Sequence, residues 1–564
     1  MNLFTTRQKV NLYFSIFIGI IGSFVSILMP KMLSKLIDLE SSTIPLNIIA
    51  ALIGIVLLQI ILGAISNLMT VKNVESVLVG FISRVQGHLL RVKESERHQF
   101  NSTEISSLIM TNADIIKAFY SVSLVEVLTS IFVVVPTLVL LILIDWKLTL
   151  LIFILLPVWI IILSPLSARV EKLSQETNQV KSFTISKMAE SFLQRKSIKV
   201  NNAETFASEQ VLNNLDKLKQ QAIKEKFIDS ITRLLAIILL IAVIAAIFYY
   251  GSQRVLTGSI TMGEFISFLI YIFMLLTPMS AISQFSNQVG KYKAAMQYFD
   301  ELNQLVEEEK GGEFVSLRGG DIRIEDLSFK YHEDENNVFE NLSLTVQSNQ
   351  LTALVGPSGA GKSTLIQMIL RLYEPTDGAI VYNGQLSESV SIKSLREQIA
   401  WLSQDNVLLN ASIRENLIYS LAAVPDEQQL WNVLERVDLK EMVENLPNQL
   451  DSEVGEMGSN LSGGQKQRLQ FARALLEKAP VIILDEATAH LDSQSEKIIV
   501  NIIEEMRKET TFFVISHRLS TTQTADKIYF LDKGGKITGE GTHYELMNNH
   551  STYAKFVENQ MINS

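Results

Sequence analysis

Apolar and polar positions are distributed unevenly along the chain. The first half carries six long apolar runs, at Leu12–Leu36, Ile44–Met69, Val122–Ile144, Leu148–Pro165, Leu234–Tyr250 and Phe265–Ile282. A helix rises about 1.5 Å per residue, so about 20 apolar residues cross a hydrocarbon core about 30 Å thick. A helix in a soluble core would still need a polar face, and the stretches Ile131–Ile144 and Ile237–Tyr250 have almost none. The pattern therefore predicts six transmembrane helices. The first run is too long for a signal peptide, and no small-residue cleavage site follows it. From Lys291 the pattern turns amphipathic and then polar, ending in Glu307-Glu308-Glu309-Lys310-Gly311-Gly312. Charge followed by paired glycines marks a boundary. The expected organisation is a transmembrane domain over 1–300, a linker over 301–320 and a second, α/β domain over 321–564.

Loop charges orient the spans. Residues 72–120 carry Lys72, Arg84, Arg91, Lys93, Arg97 and Lys117, and residues 166–228 are richer still, from Arg169 to Lys226. The opposite loops hold chiefly Lys147 and Arg254. Positive loops stay in the cytosol, so both termini are expected there, in a multi-pass protein of the cytoplasmic membrane. The two basic segments are too long for ordinary loops. They are expected to continue the membrane helices outward, to turns near Phe100–Glu104 and Asn201–Glu209.

Within the spans, Pro30, Pro136, Pro157 and Pro278 are candidate bending points, because proline removes an intrahelical hydrogen bond. Glu126 is the candidate for a buried functional acid. Phe265, Phe268, Tyr271, Phe273, Met274 and Met279 in the sixth run suit helix packing or lipid contact better than a ligand wall. At 48% hydrophobic and 19% charged, with mean hydropathy +0.23, the chain is too apolar for an average soluble protein. A net charge of −10 argues against nucleic acid as a partner. The absence of cysteine excludes disulfides and thiolate metal sites.

The second half carries the chemistry. Gly356-Pro357-Ser358-Gly359-Ala360-Gly361-Lys362-Ser363-Thr364 fits G-x-x-x-x-G-K-[ST], between a buried strand at Leu351–Val355 and a helix from Ser363 to Leu372. Glycines let backbone N–H groups turn around a phosphate, and the helix N-terminus adds positive potential. Lys362 is expected on the β- and γ-phosphates of a nucleoside triphosphate, and the Ser363 hydroxyl on Mg²⁺. The β-branched run Val481–Leu484 ends in Asp485-Glu486. A carboxylate at the end of such a strand faces the crevice of a parallel sheet, making Asp485 the expected Mg²⁺ partner. Glu486, one residue on, is placed to hold or deprotonate the attacking water. Ile322–Phe329 alternates as a strand, and Tyr331 after it can stack on adenine. Leu461-Ser462-Gly463-Gly464-Gln465 opens a helix through Leu476 and forms a second anion cradle, capped by Ser462. One triphosphate does not need two cradles, so either one is idle or two chains meet face to face.

Together these motifs resemble an ATP-binding-cassette (ABC) transporter of the exporter type, with a six-helix membrane domain fused to an α/β P-loop cassette that has a helical subdomain. The resemblance covers essentially the whole length. Leu461–Gln465 resembles the signature, Gln404 the Q-loop metal ligand, His517 the switch histidine, Glu453-Val454-Gly455-Glu456 the exporter loop, Asp492 the D-loop aspartate and Tyr331 the adenine-stacking position. It implies ATP and Mg²⁺ as cofactors and Glu486 and His517 as catalytic residues. ATP would contact Tyr331, Gly356, Ser358, Gly359, Gly361, Lys362, Ser363, Thr364 and Gln404 from one side. Ser462, Gly463, Gly464, Gln465 and Asp492 would contact it from the other. Mg²⁺ would be held by Ser363, Gln404 and Asp485.

The same resemblance implies that the two cytosolic turns are coupling helices, the second reaching the partner's cassette. One departure is the D-loop run Ala489-His490-Leu491-Asp492, where the family has Ser-Ala-Leu-Asp. The missing hydroxyl bears on communication between sites, not on hydrolysis. The partner is expected to be a second copy or a related half-transporter. The cargo is expected to be apolar or amphipathic, with peptide or bacteriocin export, lipid flipping and an ATP-gated channel or regulator as alternatives. No peptidase domain is expected ahead of the first span, and no arginine ring is evident deep in the spans.

Overall fold

The computed structural model describes residues 3–38, 46–97, 102–309, 311–331, 336–403, 408–421, 423–455, 458–485, 493–515 and 522–563. They form two units, Met1–Val85 with Ser106–Leu302, and Gln86–Ile105 with Asn303–Ser564. Helices run in the order α1 (Thr6–Ser26), α2 (Leu28–Ile37), α3 (Leu46–Leu89), α4 (Glu94–Arg97), α5 (Ser102–Ala118), α6 (Leu124–Ile144) and α7 (Trp146–Leu193). They continue with α8 (Arg195–Val200), α9 (Glu204–Leu256) and α10 (Met262–Gln304).

Among the described residues, five helical segments are long and apolar enough to span a membrane: Thr6–Ile37, Leu46–Leu89, Ile105–Ile144, Glu204–Leu256 and Met262–Gln304. The remaining predicted run lies in α7, a continuous helix of 48 residues that is apolar over Trp146–Leu155. The long basic segments are helical, as their length demanded: α3, α7 and α9 have 44, 48 and 53 residues. The second turn falls at Asn201–Ala203, where Asn202 takes φ 50°, with the short α8 just before it. Of the first predicted turn, Phe100 lies outside the described residues and Ser102–Glu104 already belong to α5.

Pro136, Pro157 and Pro278 sit inside unbroken helices. Only near Pro30 does the chain break, between α1 and α2. There α10 offers hydroxyls to the joint: Tyr271 donates to the Ile27 carbonyl (2.9 Å) and Ser267 to that of Pro30 (2.6 Å). Glu126 corrects an expectation, since in the chain it is exposed, in the first turn of α6. An unpredicted π-helical turn, Phe119–Ser123, joins α5 to α6. Phe265, Phe268 and Tyr271 are core residues against Leu141, Leu148 and Ile247, whereas Phe273 and Met279 are exposed. Asp145, the whole turn between α6 and α7, caps α7 by accepting from Lys147 N (2.8 Å) and Leu148 N (3.0 Å). It also receives the Arg254 guanidinium from the end of α9 at 2.7 Å.

The second unit opens with strands β1 (Ile322–Phe329), β2 (Phe339–Val346) and β3 (Leu351–Val355), then α11 (Lys362–Ile369), β4 (Asp377–Tyr382) and β5 (Gln385–Leu386). Next come α12 (Ile392–Arg396), β6 (Ile399–Leu402), α13 (Ile413–Ile418), α14 (Glu427–Arg436), α15 (Lys440–Glu444) and α16 (Gly463–Glu477). It closes with β7 (Val481–Asp485), α17 (Ser493–Met506), β8 (Thr511–Ile515), β9 (Lys527–Asp532), β10 (Lys536–Gly541) and two helices, His543–Asn549 and Ser551–Asn563.

One sheet has the order β10-β9-β3-β8-β7-β6, parallel except for β10, and an antiparallel sheet has the order β2-β1-β4-β5. The parallel strands are apolar throughout because both faces are covered. β1 alternates as predicted until a bulge at Asp326, whose φ is 47°. Val315 and Leu317, ahead of β1, are buried in this unit's core.

Candidate active site

The fully buried β3 delivers the chain to Gly356. A Cβ there would lie 2.1 Å from the Leu531 carbonyl oxygen, so only glycine lets the loop leave the sheet this close to β9. Gly359 and Gly361 take φ 79° and 96°, the left-handed region that costs glycine least. Nothing lies within 4 Å of a Cβ built at Gly359, so the loop rim is open on that side, while Gly361 caps α11. Lys362 is buried and folds back along the loop, its Nζ donating to the carbonyls of Gly356 (2.9 Å) and Pro357 (3.0 Å).

Asp485 ends β7, is 4% exposed, and accepts a hydrogen bond from the Ser363 hydroxyl at 3.3 Å. Strand β8 separates β7 from β3, yet the two oxygens meet because α11 starts above the strand ends. A buried carboxylate beside a hydroxyl at a helix N-terminus offers hard oxygen ligands that fit Mg²⁺ shared with phosphates. Tyr331 shares a hydrogen bond with Thr364 Oγ1 (2.8 Å) and stands edge-on to Phe329 and Tyr373, at 5.0 and 5.3 Å between centroids. The residue is 36% exposed, which leaves surface for stacking.

The second cradle is the start of α16. Ser462 accepts from Gln465 N (3.3 Å), and the Gln465 side chain accepts from Ser462 N (2.9 Å), a reciprocal cap. Ser462 and Gly463 are exposed, and a Cβ at Gly463 would meet nothing within 4 Å. The positive end of a 15-residue helix thus faces open space.

A family model described as the ABC transporter matches residues 339–489, and one described as the ABC transporter transmembrane region matches 12–279. A multidrug resistance ABC transporter ATP-binding and permease protein of Lactococcus lactis is 32% identical over 547 residues, 96% of this chain and 92% of the relative. The chain belongs to the ABC transporter family. This ABC transporter is also similar to an ATP-dependent lipid A-core flippase of Ralstonia nicotianae, 33% identical over 76% of this chain and 74% of the relative. Its fold matches that of a bacterial Atm1-family ABC exporter solved with ATP bound, at TM-score 0.81, 22% identity and 99% coverage of both chains. It is an exporter-type half-transporter whose membrane domain and ATP-hydrolysing cassette share one chain.

Gln404, Glu456, Glu486, the run from Ala489 to Asp492, and His517 lie outside the described residues. Their strands are described. Leu402 pairs with Leu484, Asp485 with Ile515, and Leu354 with Ile515, so β6, β7 and β8 end at the same edge as β3. Gln404, Glu486 and His517 follow those ends by two, one and two residues. Nothing in the residue pattern pointed to Tyr373 beside Tyr331. Nor did it reveal the contacts of Glu307 and Glu308, which pattern alone marks as a polar boundary.

Proposed function

We propose that this ABC transporter works as a homodimer that exports apolar or amphipathic molecules across the plasma membrane, with both termini in the cytosol. ATP lies between Gly356–Thr364 of one copy and Ser462–Gln465 of the other, with Asp492 of that second copy at the same seam. The observation that carries this reading is the outward-facing, capped N-terminus of α16, a cradle with no triphosphate of its own to serve. Ser363, Asp485 and Gln404 would hold Mg²⁺, which would supply positive charge to offset that of the phosphates. Lys362 exchanges its two carbonyl partners for phosphate oxygens. Tyr331 stacks on adenine, Glu486 orients and activates water, and His517 contacts the γ-phosphate.

ATP favours the closed pair because it binds that state better, the only way a ligand shifts an equilibrium. Closure reaches the membrane helices through the turn at Asn201–Ala203. A groove of ≈ 1040 Å³ in the cassette, between Trp401, Tyr419 and Arg473, is the acceptor we assign to it on the partner.

The multidrug relatives favour a broad cargo. The flippase relatives keep membrane lipid as the second candidate, and peptide export remains an arm of the same test. Purified protein in sealed inside-out proteoliposomes should accumulate an amphiphilic dye when ATP and Mg²⁺ are added. Glu486→Gln should bind ATP and abolish that uptake. Dye uptake without ATP, or normal turnover in Glu486→Gln, defeats this account, and ATP-dependent movement of labelled lipid alone assigns the flippase reading.

A further inference from the structure

The second unit contains a brace whose internal bonding no step above uses, although Arg91, Glu308 and Arg396 also line the groove assigned to the partner's turn. The end of α3 and the segment before the cassette pair as a short antiparallel bridge, Val92 opposite Glu307. Lys93 N donates to the Val306 carbonyl at 2.9 Å and Glu308 N to that of Arg91 at 2.8 Å. In extended chain, successive side chains point to opposite sides, and here the two glutamates divide accordingly. Glu307 binds back to α3 and the residues after it, with His88 Nδ1 at 2.8 Å and the Arg91 guanidinium at 3.2 Å. Glu308 points into the cassette, where Arg396 grips it with two parallel hydrogen bonds of 2.8 and 2.9 Å. A paired guanidinium–carboxylate fork fixes direction as well as distance.

Arg396 has a second task. Its Nε donates to the Leu370 carbonyl (3.0 Å) and Nη2 to that of Arg371 (3.1 Å). These carbonyls close the C-terminal end of α11, whose N-terminal end carries Lys362 and Ser363. A cation belongs at that negative helix end. Lys93 adds a parallel tie to Glu374, at 3.2 Å. One unbroken series therefore runs from the phosphate loop along α11 to Arg396, Glu308, Glu307 and the end of α3, which is itself the helix of the second span.

We propose that Glu308 and Arg396, with Glu307, are positioning residues that transmit the state of the phosphate-binding helix into the second span within one chain. This rests on the ATP-driven export reading above. It acts within one chain, whereas the turn at Asn201–Ala203 acts on the partner, and the two meet at the assigned groove, whose lining includes Arg91, Glu308 and Arg396.

The chain has no cysteine, so Leu68→Cys, an exposed position on α3, can carry a single spin label per copy. Distances between the labels are measured with and without ATP and Mg²⁺, in the parent and in Glu308→Gln and Glu307→Gln. The brace predicts that either variant loses at least about half of the ATP-induced change while the KM for ATP stays within about twofold of the parent. Retained KM shows a folded cassette. Equal changes in parent and variants overturn the brace and leave the export reading standing. No change in the parent overturns both. A second variant, Val92→Cys with Glu307→Cys, places two thiols across the bridge. It should turn over ATP slowly when reduced and recover when the disulfide closes, and identical rates in both states also overturn the brace.

Discussion

Tyr331 is positioned through its hydroxyl rather than its ring face. The hydrogen bond to Thr364 and the edge contacts with Phe329 and Tyr373 set the plane of the ring that the reading above assigns to adenine. The two contributions are separable. Tyr331→Phe removes one hydrogen bond, about 0.5–1.5 kcal/mol, and should weaken ATP binding by no more than about tenfold. Tyr331→Ala removes the stacking surface, about 1–3 kcal/mol, and should weaken it by roughly five- to 150-fold. Calorimetric titration with ATP checks both, and an unchanged affinity in the alanine variant would remove Tyr331 from the adenine site. Gly356 offers a sharper test of geometry. The only room for a methyl there is already filled by the Leu531 carbonyl, so Gly356→Ala should lower both expression and ATP affinity, where Ser358→Ala, on the same loop, leaves expression intact.

Among the elements, the turn between α6 and α7 shows how a single buried charge can fix three helix ends. Burial would raise the Asp145 carboxyl, but the Leu148 N–H, the Arg254 guanidinium and the Lys147 N–H outweigh it and hold the group below its ordinary 3.8. A carboxylate with a depressed folded value contributes stability above its unfolded value and loses it as pH falls through the folded one. The thermal midpoint of the intact protein should therefore drop as pH is taken below about 4, with this pair one of the causes. Arg254→Gln strands a carboxylate that is 1% exposed. It should cost on the order of 3–5 kcal/mol at neutral pH, read as a lower melting temperature in detergent. A melting temperature within a degree of the parent's would show that the pair adds nothing.

This turn was invisible in the sequence, where Asp145 is one acid between two apolar runs. What could be read there were features that need only neighbouring residues: apolar runs of spanning length, and glycines spaced for a loop that must take positive φ. The brace could not be read, because its partners stand 88 and 219 residues apart and only folding reveals that two adjacent glutamates face opposite ways. Glu126 misled for a related reason. An acid next to an apolar run signals burial only if a helix covers that face, and among the described residues Glu126 is left exposed.

At the scale of the whole molecule, the decisive issue is whether one chain can complete its own nucleotide site. The exposed start of α16 and the loop ahead of α11 belong to the same cassette, and the reading above assigns them to different ATP molecules. This has a consequence that no single-variant experiment shows. Lys362→Ala spoils the phosphate loop, and Ser462→Arg spoils the cradle, so each homodimer has two damaged sites and is inactive. In a mixed dimer, one site combines both lesions, and the other combines an intact loop from the Ser462→Arg copy with an intact cradle from the Lys362→Ala copy. Equal co-expression makes about half of the dimers mixed, each with one of two sites whole, so about a quarter of normal ATPase activity should return. If each chain hydrolysed ATP with its own loop and its own cradle, every site in the mixture would carry a lesion and no activity would return. Activity restored by mixing two dead chains has no explanation in which the copies work alone.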